Sequence, residues 1–128
     1  MKTKISMIIL SILFSSIAFA GEESTIKALI KFKTSVDNGV SYSKSAELFS
    51  DAQTEYKLTK NPSITLSTVI VNYEVALYAY RNYMKYCKNA EYYSTIADKC
   101  DFIYNGYLDS FKDGNNHLNA LINKPRKK

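Results

Sequence analysis

The chain predicts an all-α fold, a small up-and-down bundle of four main helices held by one disulfide. Three observations predict it. Leu66, Ile70, Tyr73, Leu77, Tyr80, Met84 and Cys87 recur at alternating steps of four and three, which places all seven on one stripe of a helix. A second set, Ile96, Cys100, Ile103, Tyr104, Tyr107, Leu108 and Phe111, also repeats at helical steps. Finally, the only two cysteines, Cys87 and Cys100, lie at the end of the first set and near the start of the second, where an antiparallel helix pair can join them.

The chain opens with Lys2 and Lys4, an apolar run from Ile5 to Ile17 broken only by serines, and then Ala18-Phe19-Ala20. A basic start, a short apolar middle and a small-x-small end are the parts of a secretory signal peptide. Residues 1–20 are therefore expected to be removed, leaving a single helical domain over 21–123 and a basic tail over 124–128. The apolar run falls short of the roughly 20 residues that a membrane span needs.

Within the domain, Ser24 or Thr25 can cap the first helix, with Ile26, Leu29, Ile30 and Val36 facing inward and Asn38-Gly39 as its stop. Ser41 or Ser43 opens the second, with Tyr42, Ala46, Phe49 and Tyr56 inward and Gln53 interrupting the row. Asn61 as cap and Pro62 as first helical residue are expected to start the central helix, Ile64 to Lys88. β-Branched residues over Ile64–Val71 weaken its helix propensity, but the stripe runs through them unbroken. Leu77, mid-stripe, is the expected best-buried residue. The opposite side carries Val71, Val75, Tyr78 and Tyr86, so either another helix covers it, with the first helix as the natural cover, or it is exposed as a partner site. Thr95-x-x-Asp98 resembles a capping box for the fourth helix. Gly106 inside it would allow close approach of a neighbour. Asp113-Gly114-Asn115-Asn116 is the expected end, and a short fifth helix from His117 to Asn123 can close the domain with Leu118, Leu121 and Ile122.

The formal net charge of +5 sits at the chain ends. Without Lys2, Lys4, Lys124, Arg126, Lys127 and Lys128, eleven basic residues face twelve acidic ones, and the body is at −1. A nucleic-acid binder needs a basic face within its fold, so nucleic acid is not an expected partner. Tyrosine is abundant, with eleven in the chain and nine of them between Tyr73 and Tyr107. Tyrosine covers area at low entropy cost and tolerates water at its hydroxyl, which suits interfaces. Tyr78 and Tyr86, and after them Tyr83, Tyr92 and Tyr93 at the hairpin end, are the candidate partner-binding residues.

Cys87 and Cys100 are expected to form a disulfide, as two cysteines in an exported chain do. Metal chemistry is poorly served, with His117 the only histidine. Asp109–Asn116 has the composition of a calcium loop but not its ligand spacing. No nucleophile elbow or phosphate loop occurs, and the carboxylates Asp98 and Asp101 lack any sequence sign of a gathering cleft. No catalytic residue and no cofactor is expected. The expected function is that of a small exported, non-catalytic protein-binding protein of the bacterial envelope, of an inhibitor or immunity type against a toxin or hydrolase. The alternatives are a periplasmic chaperone or secretion accessory, or a small-ligand carrier with a cavity beside Tyr73, Leu77 and Tyr80. A homo-oligomer is compatible with each.

Overall fold

A computed structural model describes residues 17–87 and 94–123, with side chains described over 22–87 and 99–123. The described chain forms four helices, α1 (Ile17–Asp37), α2 (Tyr42–Leu58), α3 (Ile64–Cys87) and α4 (Ser94–Ile122), with no strand among the described residues. Successive helices run antiparallel, as their facing pairs show. Thr25 meets Thr59 and Ser35 meets Ser45 across α1 and α2. Tyr56 meets Ser67 and Tyr42 meets Tyr80 across α2 and α3. Tyr73 meets Asn115 and Tyr80 meets Tyr107 across α3 and α4.

Local chemistry explains most of the helix ends. After α1, Gly39 adopts φ +70°, and the N–H groups of Asn38, Gly39 and Val40 bond back to the last carbonyls of the helix. Ser41 caps α2 by accepting from the Lys44 N–H at 3.3 Å. The start of α3 differs from expectation. Ser63 is the cap, accepting from the Leu66 N–H at 3.1 Å, while Asn61 takes a left-handed turn conformation at φ 53° and Pro62 precedes the helix. Asn tolerates that backbone better than most residues, so it serves the turn and leaves the capping to Ser63. At the front, α1 already begins at Ile17 and passes through the expected cap. Thr25 is buried and meets Thr59 Oγ1 at 3.1 Å. The expected capping pair, Thr95 and Asp98, has side chains outside the described residues, as does Ile96. Thr95 itself lies inside α4.

The centre of the bundle is a layer of four rings, one from each helix. Phe32 lies 5.2 Å from Phe49, 4.9 Å from Tyr73 and 6.1 Å from Phe111, and Tyr73 lies 5.4 Å from Phe111. Most of these contacts are tilted or edge-on, the arrangements that ring quadrupoles favour. Within each hairpin, α1/α2 and α3/α4, the backbones come close. Between the hairpins, large side chains bridge the gap.

Inward assignments on three of the helices need correction, and Met84 on α3 and Ile122 on α4, also expected inward, are exposed. Phe32, not Ile30, is the buried residue of that turn of α1. On α3, Tyr73 is the largest fully buried side chain and Leu77 is only half-buried, because it stands one turn nearer the open end of the bundle. Val69 and Ala76 join the buried arc. On α4, Tyr104 and Leu108 remain partly open to solvent.

The glycines of α4 also exchange roles. Nothing lies within 4 Å of a Cβ built on Gly106, so it serves no close approach. Gly114, an expected stop, is buried mid-helix with the Tyr73 ring laid against it, and a Cβ there would stand 2.5 Å from Tyr73 Cε1. Consequently α4 runs on through Asp113–Asn116, and the separate fifth helix does not exist. Its fully buried Leu118 and half-buried Leu121 belong to α4. The local cost of glycine in a helix is about 1 kcal/mol, less than a ring fitted into a closed core contributes.

Cys87 and Cys100 form the disulfide, with Cα atoms 5.6 Å apart. No helix among the described residues is long and apolar enough to cross a membrane.

Candidate functional site

Two surfaces of the α3/α4 hairpin carry the tyrosines. Both follow from the pattern of α3.

The helix has a second heptad series offset by two residues from the core stripe. It comprises Ile64, Thr68, Val71, Val75, Tyr78, Asn82 and Lys85, again at steps of four and three. Two residues turn a helix by about 200°, so the two series lie on opposite faces. The other helices cover the core stripe as far as Tyr80. The second series is not covered. Ile64 is 87% exposed, Val71 57%, Tyr78 67%, and the neighbouring Tyr86 64%. The first alternative, cover by α1, is therefore absent: α1 packs against α2 and α4, on the other side of α3. Along one flank of this outer face stand Glu74 and Arg81, both exposed and in no ion pair among the described residues. The Lys85 ammonium lies 5.1 Å above the Tyr86 ring, a cation–π contact.

The second surface arises from unequal helix lengths. Helices α3 and α4 have 24 and 29 residues against 17 in α2. Tyr42, the first residue of α2, sits level with Tyr80 at 5.7 Å. From there to the disulfide the inner face of α3/α4 projects past the shorter hairpin as a step. Aromatic rings line it in unbroken succession from the core. Phe111 leads to Tyr107 at 6.1 Å, Tyr107 to Tyr80 at 4.7 Å and to Tyr104 at 5.9 Å, and Tyr104 to Tyr83 at 5.0 Å. Met84, next to Tyr83 in the chain, and Val40, just before α2, are partly exposed. Burial raises the Tyr107 phenol above its ordinary value, with the neighbouring Tyr80 and Tyr104 adding to the effect and Asp37 after them. The Tyr107 phenol therefore stays a neutral hydrogen-bond donor on an apolar base at physiological pH.

Of the five candidate tyrosines, Tyr78 and Tyr86 thus share the outer face and Tyr83 lines the step. Tyr92 and Tyr93 lie outside the described residues. Sequence reading missed Tyr80, Tyr104 and Tyr107 as members of the step. Their helical spacing was visible, but the place where the covering hairpin ends was not.

Other chemistry is sparse. His117 is exposed, with Nδ1 2.8 Å from the Asp113 carbonyl. Asp101 is exposed, and the side chain of Asp98 is outside the described residues. Among the described residues no group of three His, Cys, Asp or Glu could hold a metal ion. An open groove between α1 and α2 is lined by Lys27, Lys31, Asp51 and Glu55, mixed in charge and without a convergent set. Around Tyr73, the rings of Phe32, Phe49 and Phe111 occupy the space in which the alternative reading of a ligand carrier places its cavity.

No family model, no curated protein and no solved structure matches the chain.

Proposed function

We propose that the protein is a small exported, non-catalytic protein-binding protein of the bacterial envelope, acting as an inhibitor or immunity-type protein. The tyrosine-lined step carries this reading. It offers half-buried rings held in place by their neighbours, so little side-chain entropy is lost when a partner docks. Tyrosine and methionine are enriched in the buried centres of interfaces. The disulfide and the signal-like first 20 residues support an extracytoplasmic setting. The partner is a protein that inserts a loop or helix end into the step, against Tyr83 and Tyr104.

The test is capture from envelope extract with the disulfide-bonded chain as bait, followed by binding and activity measurements on the purified partner. The double variant Tyr83→Ala/Tyr104→Ala should keep its helical circular dichroism. Its dissociation constant should rise by about thirtyfold or more, the equivalent of one lost anchor of about 2 kcal/mol. Equal binding by the double variant would remove the step as the site, and a partner whose activity is unaffected by binding would remove the inhibitor reading.

A further inference from the structure

We infer that the outer face of α3 is the seam of an antiparallel homodimer. This goes beyond the function proposed above, which uses the other surface of the hairpin.

Three full heptads separate Ile64 from Lys85, and both alternating positions of the repeat are exposed or half-exposed. Its apolar members Ile64, Val71, Val75 and Tyr78 are joined by Thr68, Asn82 and Lys85 at the same 3.5-residue spacing, the spacing by which one helix meets another along its length. The charges on its flank select the occupant. Glu74 and Arg81 stand seven residues apart on the same edge of the seam. If a second copy lies antiparallel, with the two-fold axis between Val75 and Tyr78, Glu74 of each copy faces Arg81 of the other. One symmetry operation makes both ion pairs, and a two-fold interface requires this self-complementarity.

The seam closes in the same register. Val75 meets Tyr78 of the second copy and Val71 meets Asn82. The Lys85 stem lies over Thr68, its ammonium free to reach water. On the far flank Ala79 faces Asn72, and Thr65 faces Tyr86. The contact extends over Thr65–Tyr86, about 32 Å of helix. The parallel alternative fails on charge. It would stack Lys85 on its own copy and set Glu74 opposite Ala79, so that neither flank charge gains a partner. Asn82 against Val71 is the weak layer, a polar residue that fixes register at some cost in affinity.

Sedimentation of the disulfide-bonded chain tests the inference. The wild type should be a dimer. Glu74→Arg alone and Arg81→Glu alone each create two like-charge contacts and should raise the dimer dissociation constant by about tenfold or more. Both variants should keep the wild-type circular dichroism, since each side chain is exposed. Mixing the two single variants should restore association as a heterodimer, because every contact then pairs opposite charges. The double variant Glu74→Arg/Arg81→Glu should dimerise again by itself. A wild type that stays monomeric up to its solubility limit would overturn the inference, as would single variants that dimerise like the wild type or a mixture that fails to associate.

Discussion

One methyl group should have opposite effects at the two glycines of α4. Gly106 faces open space, so Gly106→Ala relieves the unfolded-state entropy cost and should stabilise by about 0.5–1 kcal/mol. Gly114→Ala makes the same backbone gain but drives a carbon to 2.5 Å from a ring atom of Tyr73, which is fully buried and closed in by other rings. Overpacking costs about 1–3 kcal/mol, so the net change should be a loss. Urea denaturation of the two variants reads both signs. Tyr73 carries a second consequence. Burial, with a smaller contribution from the Asp37 carboxylate, pushes its phenol far above the ordinary value of 10.0, and Tyr107 is raised as well. Below about pH 10 both phenols are protonated in the folded and unfolded chains and add no slope. Above it the unfolded chain ionises first, so stability should fall as pH rises. Phenolate absorbance against denaturant midpoint, from about pH 9 upward, checks this, and Tyr73→Phe should flatten the alkaline loss.

Among the elements, α3 was the most legible and α4 the least. The core stripe of α3 could be read because its period is strict, and the disulfide because only two cysteines exist. Leu77 was overrated because a stripe says which face is buried but not how far along it the cover extends. The far face of α3 posed the same problem in stronger form, since two apolar faces are visible in one helix while their covers belong to the rest of the fold. On α4, a Gly flanked by Asp and Asn reads as a stop, and only the Tyr73 ring, 41 positions earlier, overrides it. The tyrosine step escaped notice because it depends on the length of α2, an element in which Gln53 and Ser45 blur the period. The α3/α4 pair also sets the value of its clamp. Cys87→Ser should lower stability by about 3 kcal/mol, the entropy of a loop of this size. The melting temperature with and without reductant gives the comparison. An unchanged melt on reduction would mean that helix packing alone holds this end.

At the scale of the whole molecule, the two hairpins divide the work. The shorter one, α1/α2, lends Phe32 and Phe49 to the ring layer and stops at Tyr42. The longer one continues and displays tyrosines on both of its faces. An antiparallel dimer through the outer face would send the two steps to opposite ends of the assembly, each open to a separate partner. Two identical binding ends on one rigid body would raise the apparent affinity for an immobilised or oligomeric target by multivalency. The single variants Glu74→Arg and Arg81→Glu would reduce that gain without touching the step itself.

The interface between α1 and α2 contains hydroxyls in dry surroundings. Ser35 donates to the Phe32 carbonyl at 2.6 Å and so receives the Ser45 proton at 3.0 Å, while Thr59 donates to the Glu55 carbonyl and meets Thr25. No side-chain polar atom buried among the described residues lacks a partner. An all-apolar seam would tolerate sliding by a helical turn, exchanging one methyl group for another. Here a slide of one turn would separate both hydroxyl pairs at once, at about 1 kcal/mol for each hydrogen bond lost. The four oxygens therefore act as index pins that admit one alignment of the pair.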